Sequence, residues 1–260
     1  MKAAIDDDFF VGSGEAVNDD PSSFTKAIHA SGESHIYPLF HNGESIGSMN
    51  LRGTTITVFP MRLATINGHL DLSDSHVTTL PDDFKVCGFL DLSNSSVFEL
   101  PTRLVVDGYF DASYTTISKL PDNLEVHGDM YFSNTLLAEL PKGLVVKGSL
   151  DLKHTKITVL PDGLVVTGNL DLSYTSITRL PKGLVVGGSL ILIDTPISEL
   201  PNDLKVGKDL CLVGTQVAHI PDDFYLGGRL DCRGTQIINN MVGHKINLGE
   251  DLEEDNSPSM

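Results

Sequence analysis

The chain has 260 residues, of which 40% are hydrophobic and 20% are charged, a composition typical of a folded protein and not of a disordered one. Its formal net charge of −17 is poorly suited to binding nucleic-acid phosphates and favours basic partners or simple solubility. Its three cysteines lack framework spacing, which argues against a disulfide-stapled fold and favours a reducing compartment, and no apolar run is long enough for a membrane-spanning helix.

Residues 1–46 are expected to form an N-terminal segment. Asp20 can cap a helix and Gly32 can end one, so the sequence predicts a helix over about 20–32. Such a helix would cover the apolar end that a stack of repeats exposes. The alternative, which the sequence leaves open, is that residues 1–35 are an export signal or a partner-binding arm. A cleaved signal peptide is not expected, because the N-terminus is acidic and lacks a basic and then apolar stretch.

A 20-residue repeat occupies residues 47–240. From Gly68 onwards the pattern G-x-L-x-L-x-x-T-x-I-x-x-L-P-x-x-L-x-V-x recurs, and only Lys208 breaks its glycine column. Proline recurs at the same period without a gap, at positions 81, 101, 121, 141, 161, 181, 201 and 221. A looser copy, one residue longer, begins at Gly47, so the sequence predicts a stack of about ten coils.

The columns of the repeat predict the path of one coil. Two leucines alternate with polar residues, as in Leu70-Asp71-Leu72-Ser73, which indicates a strand with one buried face that pairs with its neighbours in a parallel sheet. The Thr or Ser column that follows is expected to bond the backbone of its own coil and of the next coil. Prolines are expected on the opposite, convex wall, and glycines such as Gly168 at a bend between two extended runs.

The predicted fold is therefore a β-rich solenoid of leucine-rich-repeat type, with a parallel sheet on one face and a helical N-terminal cap. Its L-P-x-x-L phrase and its 20-residue period resemble the short leucine-rich repeats of type III secreted effectors of enterobacteria, over residues 47–240 only. This chain differs from those repeats in carrying Thr or Ser where they carry Asn, and in the later position of its strand leucines. The resemblance implies a protein-binding solenoid that acts in the cytoplasm or after delivery into a host cell. The ubiquitin-ligase domain that several such effectors add is not expected, because the chain ends soon after its last repeat.

The outward position between the two strand leucines carries the most information about function. Its nine members are Asp71, Asp91, Asp111, Tyr131, Asp151, Asp171, Ile191, Cys211 and Asp231. Like charges on adjacent strands repel, so this sheet needs some compensation. One interpretation is an acidic stripe on the concave face that binds a basic protein surface. The other is that neighbouring serines and backbone N–H groups hold each carboxylate, and the sequence leaves both open.

The same face changes character in its C-terminal part. On two adjacent coils the Asp/Ser pair is replaced by the apolar residues Ile191, Ile193, Cys211 and Val213. An exposed apolar patch is typical of an interaction site, and the alternative is a contact with the chain's own C-terminal segment, including Met241. Exposed columns also carry aromatic residues, which are favoured at interfaces, at Tyr109, Tyr114, Tyr131 and Tyr174. Residues 241–260 are expected to form a C-terminal cap and an acidic, disordered tail.

No motif for catalysis or cofactor binding occurs in the sequence. The nine histidines show no Cys/His ligand spacing, and the aspartates lack the spacing of a calcium loop. There is no G-x-S-x-G phrase, no P-loop and no dinucleotide-binding fingerprint. The sequence therefore predicts no metal, no cofactor, no enzymatic activity, no membrane contact and no direct contact with nucleic acid.

The sequence thus predicts a non-catalytic protein–protein interaction scaffold, of the bacterial effector kind, that binds a host protein through its concave strand face. An alternative is an acidic nucleic-acid mimic that inhibits a DNA-binding enzyme. Mimicry needs acidic charge along the whole rod, whereas more than half of the net charge lies in residues 1–46 and 241–260, so this alternative ranks second.

Far-ultraviolet circular dichroism tests the predicted fold. We expect a spectrum dominated by β-structure, because the repeat accounts for most of the chain and its apolar spacing has the period of a strand. A spectrum dominated by helix would contradict the solenoid.

Overall fold

The computed structural model describes residues 47–237, apart from positions 58, 62 and 222, and the backbone of four short strands that precede them. The described residues form a parallel β-solenoid of about nine turns with almost no helix. The helix predicted over about 20–32 lies outside the described residues, as do the cap and tail predicted over 241–260.

One wall of the solenoid is a ten-stranded parallel sheet, hereafter the front sheet. Leucine lies beside leucine and aspartate beside aspartate, as in the pairs Leu70–Leu90 and Asp71–Asp91, so the predicted strand is confirmed. With strands about 4.8 Å apart, ten strands extend over about 43 Å. The ten strands are Met49–Asn50, Leu70–Asp71, Leu90–Asp91, Phe110–Asp111, Met130–Tyr131, Leu150–Asp151, Leu170–Asp171, Leu190–Ile191, Leu210–Cys211 and Leu230–Asp231.

The opposite wall, hereafter the back wall, holds the second extended run of each coil. Its N-terminal sheet consists of Phe40–His41, Glu44–Ser45, Thr65–Ile66, Lys85–Val86, Val105–Val106 and Glu125–Val126. Its C-terminal sheet consists of Val165–Val166, Val185–Val186, Lys205–Val206 and Tyr225–Leu226, and a single bridge joins Val146 to Val166. Phe40–His41 pairs antiparallel with Glu44–Ser45, so the pairing of this wall starts before Gly47. A separate antiparallel pair is formed by Asp8–Phe10 and Ala16–Asn18.

The hydrogen bonds of the two walls run in opposite senses between neighbouring coils. In the front sheet the N–H of Leu70 donates to the carbonyl of Phe89 in the following coil, at 2.9 Å. In the back wall the N–H of Lys85 donates to the carbonyl of Ala64 in the preceding coil, also at 2.9 Å. Each internal coil therefore has its backbone groups satisfied only when a neighbour lies on both sides.

The core is one continuous column of apolar side chains between the two walls. A typical coil contributes six of them, all at most 5% exposed: Leu70, Leu72, Val77, Leu80, Phe84 and Val86. Each such side chain stabilises the fold by about 1.5–3 kcal/mol relative to exposure. In the last described coil Leu226 and Leu230 are only partly buried, because no further described coil covers them.

Two turns close each coil. In the first, the Thr115 hydroxyl donates to the carbonyl of Ala112 at 2.7 Å, and threonines at 135, 155, 175, 195, 215 and 235 repeat this bond at 2.6–2.9 Å. These hydroxyls fix the bend inside their own coil, as expected, but the expected bonds to the next coil are not formed in these turns. In the second turn the carbonyl of Pro121 accepts the N–H of Leu124 at 3.2 Å, at the entry to the back wall.

The glycine column brings the backbones of adjacent coils into contact. A Cβ atom placed on Gly128 would lie 2.7 Å from the carbonyl carbon and oxygen of Gly108, closer than real Cβ contacts allow. Because both partners are backbone, neither can rotate away. Lys208 is the one residue of this column that carries a Cβ, and it follows a glycine, Gly207, whose backbone can adjust. Gly128 follows His127 instead, so the backbone around Gly128 has less freedom to adjust.

Gly128→Ala is therefore expected to destabilise the protein by about 2 kcal/mol or more, because the added methyl overpacks two backbones. Urea unfolding followed by circular dichroism measures the change. Gly47→Ala is the matched control, since a Cβ there meets no atom within 4 Å. Equal midpoints for the two variants would contradict the proposed role of the glycine column.

Candidate partner-binding face

The structure brings the predicted site residues together in one outward row along the front sheet. Each member is paired with the next, from Asp71 beside Asp91 through Asp111 beside Tyr131 to Cys211 beside Asp231. All nine are partly buried, while the apolar residues on either side of them point into the core. The predicted alternation of inward and outward residues along each front strand is thus confirmed. That the outward residues bind a partner stays a prediction.

The aspartates of this row have a structural role. One carboxylate oxygen accepts the backbone N–H two residues further on, at 3.0 Å for Asp71, 2.9 Å for Asp91 and 2.8 Å for Asp111. Asp151 and Asp171 make the same bond at 2.9 Å. A serine hydroxyl also donates to the carboxylate in the first of these coils, where Ser73 lies 2.6 Å from Asp71. Of the two kinds of donor expected from the sequence, backbone N–H groups therefore recur from coil to coil in holding these carboxylates.

The carboxylates of Asp91 and Asp151 nevertheless remain in an unfavourable environment. Burial raises the pKa of Asp91, the nearby charges of Asp111 and Asp71 raise it further, and only the bonds from Ser93 lower it. Burial likewise raises the pKa of Asp151, and the charge of Asp171 adds to the effect. A cation placed beside these two residues would offset the rise in pKa, because a nearby opposite charge favours the charged form of a carboxyl group.

The apolar residues of the C-terminal part form one patch. Ile191 lies directly beside Cys211 in the sheet, and Ile193 and Val213 follow two residues later on the same two coils. All four are partly exposed, whereas Leu190, Leu192, Leu210 and Leu212 on the inner side of these strands are 0% exposed. We call these four outward residues the 191–213 patch.

A stack of aromatic rings, which was not predicted from the sequence, lies at the N-terminal end of the front sheet. The rings of His69 and Phe89 are stacked with centroids 4.3 Å apart, and those of Phe89 and Tyr109 with centroids 4.7 Å apart. Tyr131 meets Tyr109 edge-to-face at 6.3 Å. The signal was available, because positions 69, 89 and 109 lie 20 residues apart and two residues before Asp71, Asp91 and Asp111.

The turn after each front strand contains a second group of exposed aromatic residues. One residue of this turn has a left-handed backbone in every described coil from 74 to 234, which suits Asn, Asp and Gly. Tyr114, His154 and Tyr174 occupy it instead, with φ between 57° and 59°. The rings of His154 and Tyr174 stack at 4.5 Å, and Tyr114 is 64% exposed. These side chains line one edge of the front sheet.

Other kinds of site find little support in the part of the chain that the structure describes. No three His, Cys, Asp or Glu side chains there lie close enough together to hold a metal ion. Burial raises the pKa of the Cys211 and Cys232 thiols, which disfavours the reactive thiolate. No helix among the described residues is both long and apolar enough to cross a membrane. No protein-family model matches this chain, and no curated protein matches it significantly.

Asp91→Asn is expected to stabilise the protein at pH 7 by up to about 1 kcal/mol, because it removes a partly buried charge that lies between two like charges. The amide can still accept the N–H of residue 93, as Asn50 does for Arg52 at 3.0 Å in the first coil. Since the folded-state pKa of Asp91 is raised, the penalty of its charge disappears as the pH falls through that pKa, and the gain should shrink with it. Urea unfolding at pH 7 and at about pH 4 measures both effects.

Asp231→Asn is the control with the opposite sign. Hydrogen bonds from Arg233 lower the pKa of Asp231, so its charged form stabilises the fold above its unfolded-state pKa. The substitution should therefore lower stability at pH 7, and the loss should vanish at acid pH. A stabilising Asp231→Asn, or a destabilising Asp91→Asn, would contradict this account of the row.

Proposed function

We propose that this protein is a non-catalytic scaffold of leucine-rich-repeat type that binds another protein through its front sheet. The observation that carries the proposal is the 191–213 patch, an apolar interruption on adjacent strands where most equivalent positions of the other coils are Asp and Ser. The inward residues of the same coils follow the repeat without change. Variation is therefore confined to the side of the strand that a partner can reach.

Folding alone does not account for the patch. Asp171 accepts the N–H of Ser173 at 2.9 Å, and an isoleucine at the equivalent position 191 cannot offer this bond. The Ile191 coil thus loses a stabilising contact, and both coils gain partly exposed apolar surface, a combination that favours a binding role. Cover by the chain's own C-terminal segment, including Met241, is the competing explanation that the experiment below separates.

The chemistry of the face indicates the kind of partner. The row of aspartates favours a basic surface, and the 191–213 patch favours an apolar contact beside it. Following the resemblance to secreted effectors, host proteins are the first candidates, with this protein acting in the cytoplasm or after delivery into the host cell. The raised pKa values of the partly buried Cys211 and Cys232 thiols are in keeping with a role that does not involve catalysis.

Nucleic-acid mimicry is less well supported. The carboxylates of the row are partly buried and bonded to backbone N–H groups, and Tyr131, Ile191 and Cys211 interrupt them. Their spacing of about 4.8 Å also differs from the rise of about 3.4 Å per phosphate of one strand along the axis of a DNA duplex. These features favour a protein-binding scaffold over a nucleic-acid mimic that occupies the DNA site of an enzyme.

Capture from host and bacterial lysates across a salt series, followed by affinity measurement with the purified partner, tests the proposal. We expect a partner that stays bound at high salt and that binds Ile191→Asp/Val213→Asp at least about tenfold more weakly, because a buried charge opposes apolar contact. Val145→Asp/Val165→Asp is the matched control, since these two valines are 64% and 48% exposed on the other wall. This variant should bind normally.

Three outcomes would contradict the proposal. A captured DNA-binding enzyme that DNA and moderate salt displace would favour mimicry. Unchanged affinity of the folded Ile191→Asp/Val213→Asp variant would remove the patch from the interface. Lower stability of this variant with unchanged affinity would indicate that the chain's own C-terminal segment covers the patch.

A further inference from the structure

A second row of the front sheet joins coils through side chains. It runs two residues before the aspartate row, and its polar side chains accept the N–H of the equivalent residue one coil further on. Ser48 accepts from His69 at 3.0 Å, His69 from Phe89 at 3.1 Å, and Asp129 from Ser149 at 2.6 Å. The row then continues through Ser149, Asn169, Ser189 and Asp209 to Arg229 at 2.8–3.3 Å.

Phe89 and Tyr109 break this row. Their rings cannot accept the N–H of the next coil, so the N–H groups of Tyr109 and Asp129 have no acceptor among the described residues. The chain therefore gives up two inter-coil hydrogen bonds that Ser or Asn provides elsewhere in the same row. At these two positions ring stacking takes the place of the inter-coil hydrogen bonds, and it puts aromatic side chains on the outward side of the front sheet.

The arrangement of the rings limits what they can bind. Both faces of the Phe89 ring are covered, one by His69 and one by Tyr109. A sugar ring or a nucleobase, which needs a free aromatic face, cannot stack inside this group. What remains accessible is a strip of ring edges, with His69 exposed and Tyr109 38% exposed. The strip runs directly alongside Asp71, Asp91 and Asp111, two residues later on the same outward side of each strand.

We infer that the aromatic strip and its flanking carboxylates bind the lysine or arginine side chains of a partner segment. The aliphatic stem of such a side chain packs on the apolar ring edges while its charged end reaches the carboxylates, which an uncharged ligand would leave uncompensated. This inference rests on the proposed function and deepens it. Basic residues of the partner lie on the three coils that contain His69, Phe89 and Tyr109, and apolar residues of the partner lie on the 191–213 patch.

Spacing indicates a helical segment. A helix lying along the sheet presents one side chain per turn of about 5.4 Å, close to the strand spacing of about 4.8 Å, whereas an extended segment repeats at about 6.6 Å. The centre of the strip and the centre of the 191–213 patch lie about five and a half strands apart, or about 26 Å, which corresponds to about 18 helical residues. The partner helix is therefore basic at one end and apolar on the same face about 18 residues, or five turns, away.

A designed peptide tests this inference. The probe is a fluorescent 28-residue helix with three lysines on successive turns at one end and leucines on the same face about 18 residues away, and its affinity is measured by fluorescence anisotropy. Phe89→Ser/Tyr109→Asn should bind it about tenfold more weakly yet stay folded, because both substitutions restore acceptors that other coils use. Asn169→Ser/Ser189→Asn, an exchange within the polar part of the row, is the matched control and should bind normally.

A second peptide with the two clusters about 10 residues apart should bind about tenfold more weakly than the first. Unchanged binding of Phe89→Ser/Tyr109→Asn, together with loss of binding by Ile191→Asp/Val213→Asp, would overturn the inference and leave the proposed function standing. No binding of the first peptide to the wild type would also overturn it, while the lysate capture still judges the proposed function independently. Binding of neutral cellohexaose that is insensitive to salt and lost in Phe89→Ser/Tyr109→Asn would overturn it in favour of a carbohydrate ligand.

Discussion

Everything in this molecule depends on the contact between one coil and the next. The backbone N–H and carbonyl groups of both walls find partners only in neighbouring coils, and the glycine column lets the two backbones approach without an intervening Cβ. The apolar residues of a single coil would remain half exposed without its neighbours. Since each coil satisfies the next in the same way, a deviation in one outward residue leaves the stacking intact.

Inward residues pack the core and outward residues do not, so residues that bind a partner can vary on the outward side. The inward columns are at most 8% exposed through most of the stack and are apolar in every coil, even where Ala112 and Phe132 replace leucine. The outward rows tolerate Asp, Tyr, Ile and Cys at equivalent positions, because the backbone pairing does not involve their side chains. The front sheet is therefore a surface on which charge, aromatic edges and apolar patches can be arranged at a fixed spacing.

The acidic row shows that one residue can serve fold and recognition together. Each aspartate accepts a backbone N–H with one oxygen, which fixes the start of the turn. Burial and neighbouring carboxylates still raise the pKa of Asp91 and Asp151, so the bond to the backbone does not offset the cost of their charge. A cationic partner would be stabilised by the same electrostatic imbalance that costs the free protein stability.

Much of the fold follows from the sequence. The 20-residue period, the alternation around Leu70 and Leu72 and the turn after them were all predictable, because side chains alternate along a strand and hydroxyls bond nearby carbonyls. So was the outward position of the aspartates and of Ile191 and Cys211, since it depends on the same alternation. The N-terminal helix and the C-terminal cap lie outside the described residues and stay predictions.

Only the tertiary structure decided how residues 20 positions apart meet. It decided that the rings of His69, Phe89 and Tyr109 stack into one strip, and that polar side chains such as Asn169 accept the N–H of the equivalent residue one coil further on. Local sequence could not settle these contacts, because ring orientation and the choice of hydrogen-bond acceptor depend on the distance and angle between neighbouring coils. Periodicity shows which residues share a row, whereas their contacts are set by how closely the coils pack.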